Sequence, residues 1–278
     1  MNEYYMSAGQ VQDFAAYLRS EEKSPGTVEK YCRDVETFAG WLDGQAVSAE
    51  SGAAWKAALC RQGYAPVTVN SMLSSLNAFC RFMKWDVHVR FLRIQRRVFR
   101  EKGRELSREE YRRLLTAAAG NPRVQLLLET ICATGIRVSE VRYITVEAVL
   151  AGRAEISLKG KIRTILLPDK LCRRLLKYAK KQKIASGEVF LTKGGKSLRR
   201  QQIWADMKRL CTGAHVLPEK VFPHNLRHLF AVTFYRLYKD IARLADLLGH
   251  SSIETTRIYL VTSGREHCRQ LNAMRLLL

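Results

Sequence analysis

Apolar residues recur at helical spacing along the first 86 positions and no alternating run interrupts them, so this part of the chain can build a helical bundle but not a sheet. Val11, Phe14, Ala15 and Leu18 mark a first helix. Ser24-Pro25 opens a second, in which Val28, Tyr31, Val35, Phe38, Trp41 and Leu42 line one face. Proline suits a first helical turn, where its missing N–H would have no partner anyway. A third segment runs from Ser48 to Cys60 and a fourth from Pro66 to Trp85, carrying Val69, Met72, Leu73, Leu76, Phe79 and Phe82. The pattern then breaks. Between Arg90 and Arg104 the cations Arg90, Arg93, Arg96, Arg97, Arg100, Lys102 and Arg104 meet a single acid, Glu101, which reads as a basic linker.

A new helix is predicted where Ser107-Arg108-Glu109-Glu110 forms a capping box ahead of Tyr111, Leu114 and Leu115. From Ala154 to Pro168 the pattern changes to short β-prone runs around Lys159-Gly160-Lys161, which predicts a small antiparallel hairpin. The remainder is helical in pattern. The expected architecture is therefore mainly α with a small antiparallel β-sheet, in two domains: a helical domain over 1–88, a linker over 89–105 and a second domain over 106–278. A length of 278 residues suits two domains, and 47% hydrophobic residues are enough for two cores.

Lys plus Arg number 47 against 26 Asp plus Glu, a formal charge of +21, so a polyanion is the expected partner. The 89–105 segment then reads as a strap along a phosphate backbone. Seven widely spaced cysteines without a C-x-x-C argue against a disulfide framework or zinc ribbon, and no stretch reaches the roughly 18 apolar residues of a membrane span. A reducing compartment, the cytoplasm, is expected, with no membrane partner.

Four short segments of the second domain place polar residues inside otherwise apolar helices. They are Ala133-Thr134-Gly135-Ile136-Arg137-Val138-Ser139-Glu140, Leu158-Lys159-Gly160-Lys161, Pro223-His224-Asn225-Leu226-Arg227-His228, and Leu247-Leu248-Gly249-His250 with Tyr259 nine residues on. Each alone has an ordinary explanation: Arg137 and Glu140 as a surface ion pair, a hairpin lysine in solvent, any of eleven tyrosines in a core. In this order and spacing they resemble the tyrosine recombinases, the phage-integrase and Xer-like family. The resemblance extends to Ser24-Pro25-Gly26-Thr27-Val28-Glu29-Lys30-Tyr31, similar to the family's SAM-like core-binding domain, with the tyrosine-recombinase catalytic domain following.

The resemblance implies attack by the Tyr259 hydroxyl on a DNA phosphodiester, leaving a 3′-phosphotyrosyl link and a free 5′-hydroxyl, with strand exchange through a four-way junction in a tetramer on double-stranded DNA. Its catalytic set carries over to Arg137, Lys159, His224, Arg227, His250 and Tyr259, with no cofactor and no metal. The residue types suit that chemistry. Two guanidiniums can hold the non-bridging oxygens of a pentacoordinate phosphorus, and His224, three before Arg227 on one helix, can take the tyrosine proton. A tyrosine, with an ordinary pKa of about 10, needs such an acceptor and nearby positive charge. A lysine, with an ordinary pKa of about 10.4, arrives protonated and can supply the departing 5′ oxygen. The turn is one residue shorter than the family's usual form, which leaves Lys161 as a rival to Lys159. His250 is expected to hydrogen-bond the phosphate from beside a helix capped by Ser251 and Glu254. Glu140 supports Arg137, and His228 is structural. Lys239 stands where the family commonly has glycine between two helices.

The rival readings are a topoisomerase with the same tyrosine chemistry and a non-catalytic DNA-binding regulator of the same fold. Chromosome-dimer resolution and mobile-element integration both fit the residues. Leu271, Met274, Leu277 and Leu278 give the C-terminus an apolar stripe expected to dock on its own domain or on a neighbouring protomer.

Overall fold

The computed structural model describes residues 4–94, 104–158, 161–257, 259, 269 and 272–274, and the chain divides into two compact units, Met1–Arg96 and Arg97–Leu278. Of the linker cations, Arg96, Arg97, Arg100 and Lys102 lie outside the described residues, as do Lys159, Leu271, Leu277 and Leu278. No described helix is long and apolar enough to cross a membrane.

The N-terminal unit consists of α1 (Ala8–Ser20), α2 (Pro25–Leu42), α3 (Ala49–Arg61) and α4 (Pro66–Phe82), at the positions the periodicity predicts. Pro25 and Pro66 each occupy a first helical turn. Its apolar faces meet in two clusters, one around Phe14, Leu18, Val35 and Phe79, the other around Phe38, Trp55, Leu59, Leu73 and Leu76. Burying each such side chain contributes roughly 1.5–3 kcal/mol. The stretch read as a linker from residue 89 begins as packed chain. Val89 is buried, and the amide side chains of Asn77 and Asn70 each close a pair of hydrogen bonds with the backbone of Val89 and Leu92. These amides imitate a neighbouring β-strand, which lets apolar residues between cations join the core.

The second unit holds α5 (Arg108–Ala117), α6 (Pro122–Thr134), a 3-10 turn (Val138–Tyr143), α7 (Val146–Leu150), strands β1 (Arg153–Leu158) and β2 (Lys161–Leu166), then α8 (Asp169–Lys181), α9 (Arg200–Arg209), α10 (Cys211–Ala214), a short 3-10 turn (Pro218–Lys220), α11 (Pro223–Tyr238), α12 (Ile241–Leu248) and α13 (Ile253–Arg257). The capping box at α5 forms as read: Ser107 Oγ accepts from Glu110 N at 3.1 Å and Glu110 Oε2 from Ser107 N at 2.7 Å. The two strands pair antiparallel from Arg153 opposite Leu166 to Leu158 opposite Lys161. Helix α6 packs against both α11 and α8.

Two chain reversals place the polar segments. Helix α6 ends at Gly135, φ +64°, where an added Cβ would lie 2.5 Å from the Phe230 ring. Helix α12 ends at Gly249, φ +62°, where a Cβ would lie 2.4 Å from the Arg163 guanidinium. Both sites combine left-handed backbone with a close neighbour, so glycine alone fits.

Candidate active site

Arg137 follows the Gly135 reversal and caps the 3-10 turn. Its backbone N–H donates to Glu140 Oε2 at 2.7 Å, its guanidinium to Glu140 Oε1 at 2.9 Å and to the Gly249 carbonyl at 3.4 Å. Glu140 is buried, so this is an anchored pair, not the surface pair that its i, i+3 spacing ordinarily signals. A second arginine completes it: Arg163 on β2 donates to Glu140 Oε2 at 2.7 Å and to the Leu248 carbonyl. Burial lowers the Arg163 pKa to about 10, with Arg227 and Arg137 pushing the same way against Glu140.

Arg227, from the first turns of α11, is 2% exposed. It donates to the carbonyls of Gly135 and of Leu248, the latter at 2.7 Å, and meets His250 Nε2 at 3.0 Å. Burial pushes its pKa down, the neighbouring Arg137 adds to this, and the Tyr259 side chain opposes it. Because Arg227 can only donate, His250 Nε2 accepts, and the imidazole carries its proton on Nδ1, 2.8 Å from Thr256 Oγ1. Burial and then Arg227, Arg137, Arg163 and His224 lower the His250 pKa to about 4. The imidazole is neutral at pH 7 and its ring edge is held by protein.

The expected cap on the following helix differs in detail. Ser252 Oγ, one residue beyond the predicted Ser251, accepts from Glu254 N at 3.2 Å, and α13 spans Ile253–Arg257. Tyr259 lies just past α13, 4% exposed, on a cluster of Ala231, Leu244 and Leu248. Three imidazoles surround its ring: His250 stacks at 5.9 Å between centroids, His228 lies at 5.4 Å and His224 at 6.1 Å. His228 is buried and its Nε2 lies 3.8 Å from Glu105 Oε1, while His224 is exposed. Arg137, His224 and Arg227 open into one cleft of about 260 Å³, with Arg200 and Trp204 of α9 on another wall.

Five of the six expected catalytic residues thus converge on the turn after α12. Lys159 lies outside the described residues, and Lys161 opens β2. Of the linker set, Arg90, Arg93 and Arg104 are described, and all three are exposed. Arg163, Thr256, Arg200 and Trp204 were not singled out by sequence. Arg163 carried one signal: strand alternation puts it on the same face as Ile165 and Leu167, which are buried, and a cation there requires a partner.

The sequence model of the phage integrase family matches residues 104–264, and that of the phage integrase N-terminal SAM-like domain matches residues 11–86. Tyrosine recombinase XerA of Thermococcus kodakarensis is 30% identical over 269 residues, which cover 94% of this chain and 93% of XerA. Among solved structures, a XerH site-specific recombinase bound to difH substrate in a pre-cleavage complex matches with a TM-score of 0.68 at 19% identity, covering 95% of this chain and 84% of that one. A lambda integrase tetramer bound to a Holliday junction matches with a TM-score of 0.72 at 17% identity, covering 93% and 78%. The two structures share the fold: a SAM-like helical unit followed by an integrase catalytic unit. The chain belongs to the phage integrase family, the tyrosine recombinases.

Proposed function

We propose that this protein is a site-specific DNA recombinase that cleaves and rejoins double-stranded DNA through a 3′-phosphotyrosyl intermediate, exchanging strands through a four-way junction as a tetramer on DNA. The observation that carries the reading is Tyr259, a buried tyrosine ringed by His224, His228 and His250 beside the Arg227 guanidinium.

Tyr259 Oη attacks phosphorus, the new O–P bond forms and the bond from phosphorus to the 5′ oxygen breaks. His224, exposed and in ring contact with Tyr259, takes the phenolic proton. Arg227 and Arg137 hold the two non-bridging oxygens as charge builds on them. His250, neutral and bridged from Arg227 to Thr256, fixes the face of Arg227 turned to the phosphate. Lys159, with Lys161 as the rival, protonates the departing 5′ oxygen. The phosphotyrosyl ester conserves the energy of the broken linkage, so a 5′-hydroxyl of the partner duplex reverses the attack without a cofactor. Arg90 to Arg104 adds phosphate contacts between a core-binding domain (1–88) and a catalytic domain (106–278).

The test starts from a site selected by binding from randomised duplexes and nicked so that cleavage is trapped. Wild type should form a covalent adduct mapping to the Tyr259 peptide. Tyr259→Phe should bind the duplex and form none. An adduct on another tyrosine overturns the assignment.

A further inference from the structure

Helix α8 carries a stripe of charge that the proposed chemistry does not use. Lys170, Arg173, Arg174, Lys177 and Lys181 fall at i, i+3, i+4, i+7 and i+11, on one face, with Lys180 on its flank. Leu171, Cys172, Leu175 and Ala179 bury the opposite face in the core of the unit. Of the six cations only Arg174 is ion-paired, with Glu129; Lys170, Arg173, Lys177, Lys180 and Lys181 are exposed, and among the described residues no carboxylate pairs with them.

Such a face is unfavourable as it stands. Like charges at these spacings destabilise a helix. Lys180 and Lys181 sit at the C-terminal end, where the helix dipole favours cations, but Lys170 is in the first turn, where it opposes them. Helix α5 shows the usual alternative, with Glu109 and Glu110 set among Arg108, Arg112 and Arg113. The α8 face suits an extended polyanion. From Lys170 to Lys181 it runs about 16 Å, at 1.5 Å per residue, which faces about five phosphates of one DNA strand. A membrane helix would show its apolar side to lipid, whereas that of α8 is already covered. The cleft of Arg137, His224 and Arg227 includes no α8 residue.

We propose that the exposed face of α8 binds the phosphate backbone of a stretch of duplex DNA other than that held at the cleft. The inference rests on the DNA-acting reading above.

The test compares wild type with the quadruple variant Lys170→Gln, Arg173→Gln, Lys177→Gln, Lys181→Gln, whose exposed glutamines keep helix propensity. Binding to a 60-bp duplex carrying the selected site is measured across salt concentrations, and cleavage on a minimal nicked site. Losing about four phosphate contacts should make the log–log salt slope shallower by about 3.6, with minimal-site cleavage unchanged, and a Lys-to-Arg, Arg-to-Lys swap of the four positions should keep the wild-type slope. An unchanged slope in the glutamine variant makes the face merely solvated and overturns the proposal. A shallower slope with cleavage lost places α8 in the catalytic grip and overturns it too. Anionic vesicles retained by wild type but not by the variant, with equal slopes on DNA, would assign the face to lipid instead. A wild type with no salt-dependent DNA binding would instead remove the recombinase reading and this inference with it.

Discussion

Asp34 in the N-terminal unit and Glu140 in the second are both carboxylates buried among cations, and the two clusters are built to different ends. In the N-terminal unit Asp34, 4% exposed, accepts from Lys30 Nζ at 2.5 Å and from the Ser75 hydroxyl at 2.9 Å, with Arg33 at 3.4 Å. Lys30 also donates to the Ser71 carbonyl at 3.1 Å, so α2 and α4 are pinned by one carboxylate and one ammonium of balancing charge, Arg33 being 71% exposed and largely in solvent. In the second unit Glu140 faces Arg137 and Arg163, with Arg227 beside them: one carboxylate for three guanidiniums. The first cluster is closed, and a strut needs no more. The second has an excess of two positive charges opening on a cleft, which under the proposed reaction equals the charge on a pentacoordinate phosphorus and exceeds that of the resting diester. The difference in charge sum between these two clusters fits a structural tie in the first and the proposed anion site in the second.

That contrast breaks most readily at the carboxylates. Glu140→Ala leaves Arg163, 15% exposed, without its counter-charge and should lower unfolding free energy by about 3–5 kcal/mol. Asp34→Ala leaves Lys30, which is 32% exposed and can turn to water, so its effect should be nearer 1–2 kcal/mol. Urea denaturation of both variants checks the order, and the reverse order would deny that the second cluster is the more strained.

Arg163→Met keeps the stem and removes the charge. Because Arg163 ties Glu140 to the turn that bears His250, cleavage should fall about 100-fold through misplacement, while affinity for the selected duplex changes little. A substrate with sulfur at the bridging 5′ position, which leaves without a proton, should not restore it; the same substrate should rescue Lys159→Ala. Rescue of Arg163→Met would move Arg163 to the leaving group.

The smallest effect concerns protons. His250 has its pKa lowered from 6.5 to about 4 by burial and surrounding cations. Above pH 6.5 it is neutral whether the chain is folded or not. Between 6.5 and 4 the unfolded chain takes up a proton that the folded one does not, so stability should decline as pH falls through that window. His250→Gln should flatten the decline, as read by melting temperature against pH. A bound phosphate offsets the arginines, and the His250 NMR titration should then move upward.

Much of this was legible in the residues. The four N-terminal helices followed from apolar spacing and the hairpin from β-prone runs around Lys159-Gly160-Lys161, whereas Arg137, His224, Arg227, His250 and Tyr259 were singled out by the family resemblance that the order and spacing of the polar segments carry. Arg163 was hidden because Ile162, at 79% exposed, looks like the inward residue of β2; pairing of Ser157 with Ile162 and Ile156 with Arg163 sets the opposite phase, held by Glu140. The tautomer of His250 was hidden for another reason. A sequence gives no tautomer, and only the Arg227 contact shows that its Nε2 accepts. Lys239 was noted for standing where glycine is usual, and it does adopt φ +55°, its Nζ 5.4 Å from the Tyr235 ring.

Arg227 spends three of its bonds on Gly135 O, Leu248 O and His250 Nε2, and two of those acceptors are main-chain oxygens. No substitution at position 248 can delete a carbonyl, so Leu248 is free to drift among apolar residues while its oxygen goes on aiming the arginine. Vulnerability moves instead to whatever sets the path of the backbone, Gly135 and Gly249. A mutational scan would score these two as intolerant although neither has a side chain, and would read residue 248 only as a buried apolar position, although its oxygen orients the charge.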